Sequence, residues 1–155
     1  MDRARRGAVR TGATVGLLGV LVAAGLLRPG QARAAWDKAA FDGKSTDDVL
    51  RALGLVGPVP FASIQLEAPE IAENGAVVPV KVATDLPGVD RIAVIVEKNP
   101  MMLSAVFMLP EGTEPQVTTR VKMAETSRVI VAVRAGGKVY TASKEVKVTL
   151  GGCGG

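Results

Sequence analysis

Between Ser63 and Leu150, apolar residues recur at alternate positions in short runs broken by proline, glycine or asparagine. Period-two alternation marks half-buried strands, whose successive side chains point to opposite faces. "SIQLEAP" sets Ile64 and Leu66 against polar neighbours, and "GAVVPVKVAT" places Val78, Val80 and Val82 on one face. "RIAVIVEKNP" is apolar on both faces, which predicts a central strand stopped at Asn99-Pro100. "SAVFML" ends at Pro110, and "QVTTRVKMA" alternates Val117, Thr119, Val121 and Met123. In "SRVIVAVRAGGKVYTA" the Gly136-Gly137 pair can adopt the positive φ angles of a tight hairpin turn. "SKEVKVTL" closes the series with Val146, Val148 and Leu150 on one side. Seven or eight short strands so spaced predict an all-β domain over residues 63–150, an immunoglobulin-like antiparallel β-sandwich.

Residues 35–62 read differently, as a short helical N-terminal segment and linker. In "AAWDKAAFDGKSTDDVLRALGL" either Ser45 or Thr46 can cap a helix, its hydroxyl accepting from the exposed amides of the first turn. Asp47 and Asp48 suit that positive end, Val49, Leu50 and Leu53 form an apolar face, and Gly54 is a stop. "GLVGPVPFA" then breaks regularity. Met101-Met102-Leu103 after the proline has two readings, an adaptable partner surface or a loop packed under the sandwich edge.

Charge changes the picture only at the front of the chain. The whole sequence carries a net charge of +4. Residues 1–34 hold six arginines and one acid, so the 19 basic and 15 acidic residues reduce to 13 and 14, a net of −1, for the rest. The body therefore has no basic stripe, and nucleic acid is excluded as an expected partner. The first 34 residues read as an export signal: "RARRGAVR", then "TGATVGLLGVLVAAGLL", then "ARA" at Ala32–Ala34 for cleavage. The apolar run is short and glycine-rich for a bilayer span, so stable membrane insertion is not expected. Arg5-Arg6-Gly7-Ala8 resembles the twin-arginine export signature, with Ala8 where phenylalanine is usual. That route moves folded proteins, and with no cofactor motif in the chain a partner folded onto it before export explains its use.

The chain has no histidine and one cysteine. Serine–histidine and cysteine–histidine catalysis, a cysteine redox pair, an internal disulfide and a cysteine zinc site are all ruled out. No acidic pair stands out, and no metal site is expected. The single thiol, Cys153, lies in "LGGCGG", between Gly151-Gly152 and Gly154-Gly155. It lies three positions beyond Leu150, about 10 Å when extended. Glycine gives such a tail a narrow cross-section and free φ/ψ, so residues 151–155 read as a flexible arm able to enter a deep pocket of another protein. A free cysteine is about 3% thiolate at pH 7. The thiol is therefore a handle, activated by whichever partner receives it.

The tail, the leader, and the stretches "AWDKAAF", "IQLEAPEIAENGAVVPVKV", "IAVIVEKNP", "TRVKMAETSRVIVAV" and "KEVKVTLGGCGG" resemble the SoxY family, sulfur-compound carriers of the periplasmic Sox thiosulfate-oxidation system. "GGCGG" is the most specific element, supported by "AENGAVVPV" and "RVKMAETS". The resemblance implies that Cys153 is the covalent attachment site, with Gly151, Gly152, Gly154 and Gly155 as its flexible flanks. It implies a non-catalytic carrier without a cofactor of its own, holding only sulfur adducts on Cys153. A haem-containing enzyme would couple thiosulfate to the thiol, a manganese-dependent hydrolase would release sulfate, and a molybdenum–haem dehydrogenase would oxidise the remaining sulfur. It also implies a heterodimer with a SoxZ-like subunit. Three rivals remain: a ubiquitin-like sulfur carrier activated at the terminal glycine, a thiol enzyme, and a structural protein cross-linked through Cys153.

Overall fold

Two short helices precede the strands in the computed structural model, which describes residues 38–151. These belong to one unit, Asp37–Gly155, distinct from Met1–Trp36. The expected export signal (1–34), Trp36, and Gly152 to Gly155 with Cys153 lie outside the described residues.

Helix α1 is Lys38–Asp42 and α2 is Thr46–Ala52. Of the two candidate caps it is Ser45 that serves, its extended backbone setting the hydroxyl to accept from the Asp48 amide at 3.1 Å. Gly54 ends the helix at φ 68°. Its amide donates to the Arg51 carbonyl and the Leu55 amide to Leu50, the paired bonds of a left-handed glycine C-terminus. The Arg91 guanidinium donates to the Leu53 carbonyl, which ties that helix end to the sheet beneath.

The strands are β1 (Val59–Pro60), β2 (Gln65–Glu67), β3 (Ile71–Asn74), β4 (Val78–Ala83), β5 (Val89–Val96), β6 (Leu103–Met108), β7 (Gln116–Val121), β8 (Ser127–Ala135) and β9 (Lys138–Leu150). The larger sheet runs β1-β9-β8-β5-β6 with β3 also on β9, and the smaller runs β2-β4-β7. Together they form the immunoglobulin-like sandwich, and its main ladders are antiparallel. The β8–β9 hairpin turns on Gly136 and Gly137 at φ 56° and 78°, as the two glycines require. Two additions depart from the sequence pattern. β1 and β3 are short strands that pair parallel with β9. "SKEVKVTL" is not separate either, but the second half of the 13-residue β9.

Valine alternation builds two cores on the two faces of one sheet. Ile92, Val94 and Val96 of β5 and Val129, Val131 and Val133 of β8 meet Val78, Val80, Val82, Val117 and Val121 of the smaller sheet. The intervening residues, Ala93, Ile95, Ile130 and Ala132, face a second cluster with Ala40, Val49, Leu50, Leu53 and Leu55 from the helical segment. Ala93 and Ala132 are opposite each other in register, so two small side chains sit side by side on the helix-covered face. The helices thus form a third layer. Met102 and Leu103 join this second core while Met101 stays exposed, so that stretch packs.

Candidate functional site

The arm begins where β9 outruns its hairpin partner. Its ladder to β8 ends at the Ser127–Val146 pair, leaving four more residues to be held by other means. Strand β3 with its turn and the 122–126 loop supply the means, and the 97–100 loop braces the second of these.

On one side lies β3, pairing Ile71 with Lys147, Ala72 with Val148 and Asn74 with Leu150. The Lys147 amide donates to the Glu70 carbonyl at 2.9 Å, and the Thr149 hydroxyl donates to the Glu73 carbonyl at 3.0 Å. The Gly75 amide donates to the Leu150 carbonyl at 2.7 Å, the last strand-like bond before the glycines. Asn74 closes the turn, its side-chain carbonyl accepting from the Ala76 amide at 2.8 Å.

On the other side lies the 122–126 loop between β7 and β8. Thr126 accepts from the Val148 amide at 3.0 Å through its hydroxyl. The Met123 amide donates to the Gly75 carbonyl at 2.7 Å, joining the two flanking loops beneath the strand. Gly151 passes so close to the Ala124 carbonyl that a Cβ at this position would overlap the oxygen. Its φ is not in the left-handed region, so glycine is required here by space alone.

The third loop, 97–100, ends β5. Asn99 donates through its carboxamide to the Lys122 carbonyl at 2.6 Å and accepts from the Ala124 amide at 3.0 Å. One side chain thus bridges both ends of the segment that abuts Gly151. The same loop is anchored by the Lys98 amide donating to the Ser127 hydroxyl at 3.0 Å, and by Glu97 accepting two bonds from Arg128 at 2.6 and 2.9 Å. Those bonds, with the nearby guanidinium charge, hold the Glu97 carboxyl below its ordinary pKa and push Arg128 up.

Of the five predicted arm residues, the structure places Gly151 at this exit, and Cys153, Gly152, Gly154 and Gly155 lie outside the described residues. Leu150 shares the face of Val146 and Val148, yet it is 70% exposed because the strand projects beyond the sandwich edge. Val77, in the turn next to Gly75, is 55% exposed. Sequence reasoning gave Asn99 only the stop of a strand and named no role for Gly75, Ala124 or Thr126. The signal was present all the same: "AENG", "KMAET" and "EKNP" lie within stretches that carried the family resemblance, and these loops meet at the arm's root.

Among the described residues, no group of three or more carboxylates or other ligating side chains could hold a metal ion. None of their helices is long and apolar enough to cross a membrane. A concavity of about 730 Å³ lies between the helical segment and β9, lined by Thr46, Phe61, Ile64, Ala142 and Lys144 among others.

The family model for the sulfur oxidation protein SoxY matches residues 51–153, from α2 through all nine strands to the cysteine. The chain belongs to the SoxY family. The structure of the sulfur carrier protein SoxY from Chlorobium limicola f thiosulfatophilum is similar to it at 42% identity, over 67% of this chain and 94% of that one, with a TM-score of 0.60. A superoxide reductase (neelaredoxin) from Ignicoccus hospitalis shares the fold at 21% identity, over 56% of this chain and 80% of that one, with a TM-score of 0.50. No curated protein matches the chain. Within the SoxY family match fall the braced root and Cys153 alike.

Proposed function

We propose that this protein is a non-catalytic carrier of sulfur intermediates in thiosulfate oxidation, holding them on the thiol of Cys153. The observation that carries the reading is the strand-to-arm junction. β9 is held by hydrogen bonds from both flanks as far as Leu150, and the chain's one thiol follows three residues later. A sulfonate or sulfur atom on that thiol stands within about 10 Å of a firmly fixed point, which suits delivery to enzymes that dock against the same surface. The name of the Chlorobium relative, a sulfur carrier protein, supports the same role.

In this reading the Cys153 thiol and thiosulfate form an S–S bond, releasing one proton and two electrons that a haem-containing partner takes up. A manganese-dependent hydrolase then transfers the terminal sulfonate to water, giving sulfate and leaving a persulfide on Cys153. A molybdenum–haem dehydrogenase oxidises that sulfur before its release. The protein itself contributes position and access, and the absence of histidine from the sequence fits a group that borrows its reactivity. The working form is a heterodimer with a SoxZ-like subunit in the periplasm, exported folded by the twin-arginine route.

Intact-mass measurement of protein from thiosulfate-grown cells tests this. The expected result is a set of thiosulfonate and persulfide adducts, removed by reductant and missing in Cys153→Ser. Uniformly bare protein would overturn the reading. Loading that survives Cys153→Ser but disappears on deletion of Gly155 would identify a carrier activated at the terminal carboxylate instead.

A further inference from the structure

We propose that Asn99 is a positioning residue for the arm: it fixes the 122–124 segment, and that segment confines Gly151, so the direction in which the chain leaves β9 is set at Gly151. The inference deepens the carrier reading by assigning the arm a set direction of departure, and it rests on that reading for its biological use.

The chain of contacts is short and each link is polar or steric. Asn99 sits on the loop after β5, which Glu97 and Lys98 lock to the start of β8. Its carboxamide satisfies the Lys122 carbonyl and the Ala124 amide together, acting as a rung of backbone would. Ala124 is thereby held, and its carbonyl oxygen occupies the space a side chain on residue 151 would need. On the opposite flank Gly75 holds both the Leu150 carbonyl and the Met123 amide, so Gly151 cannot relieve the contact by moving its neighbour. Each tail residue that a binding pocket orders loses conformational entropy. A residue already confined by the domain has less freedom left to lose, and misdirection at the root is magnified at the tip.

The test is a distance measurement between nitroxide labels on the full-length chain. One label sits on Cys153. The other sits on Glu114→Cys, an exposed position before β7 and therefore about 20 Å of strand away from the exit. Asn99→Ala and Gly151→Ala are each expected to widen or displace the distance distribution relative to the parent. Asn99→Asp, which keeps the acceptor for Ala124 and loses the donor to Lys122, is expected to fall between. Gly152→Ala removes the same backbone freedom one residue farther out and is expected to leave the mean distance where it was. The proposal is overturned if either Asn99→Ala or Gly151→Ala matches the parent, or if Gly152→Ala displaces the label as much as Gly151→Ala. If Asn99→Ala does not fold, Asn99→Asp takes its place, and a distribution identical to the parent overturns the proposal. The labels report geometry whether or not Cys153 ever carries sulfur, so a negative result removes the brace, and bare protein in the mass measurement removes the carrier.

Discussion

Asp90 sits at a bulge in the β5–β8 ladder and accepts two hydrogen bonds from Arg134, at 2.7 and 2.8 Å. Those bonds, more than the guanidinium charge, hold its carboxyl below the ordinary value of 3.8. A carboxyl depressed by folding stabilises the native state fully above pH 3.8, and the contribution is lost as pH falls through the lowered value. The Asp90 side chain is 50% exposed, so solvent screening limits the pair to about 0.5–1 kcal/mol. Asp90→Asn should therefore lower urea stability by that amount at pH 7, and the gap should close on acidification well below 3.8; a gap constant with pH would refute the ion pair as its source. Single residues were legible where their role is local. Gly136, Gly137 and Ser45 act within four residues of themselves, and the sequence carries their signal. Asn99 and Gly151 act on a segment more than twenty residues away from each of them, and no local pattern encodes that.

Among the elements, α2 has all its determinants on the page before folding: a cap, two acids in the first turn, an apolar face and a glycine stop. Ser45→Ala should cost about 1 kcal/mol. Hydrogen exchange should find the loss in faster exchange at Val49 to Leu53, with β8 little changed; uniform acceleration would mean that the cap supports the whole domain. β9 was harder to read. Ser143, Lys144 and Glu145 interrupt its apolar alternation, which makes one strand look like two. In the structure these residues fall between the β1 and β3 pairings, where the outer edge of β9 has no strand beside it, while the ladder to β8 continues unbroken. β1 and β3, at two and four residues, are too short for any periodicity to declare them.

For the whole molecule, the sequence told that β5 is buried on both faces without telling what covers the second. The answer is the helical segment, whose Val49, Leu50 and Leu55 close over Ala93, Ile95, Ile130 and Ala132. Removing residues 1–54 should uncover that face, and the truncated chain should bind an apolar dye strongly and lose its sharp unfolding transition; a dye-silent, cooperative product would show that the helices are ornament. The path of β9 has a different consequence. It runs from the hairpin turn across the larger sheet and out through the glycines, bonded to β8 along most of its length and to β3 at its last residues. Its bonds to neighbours lie across the strand direction, so a tug on the tail loads many of them in shear at once and cannot peel them one by one. In the proposed carrier role, a partner pulling on the tip would work against the whole β8–β9 ladder, and the domain would resist fraying from its end.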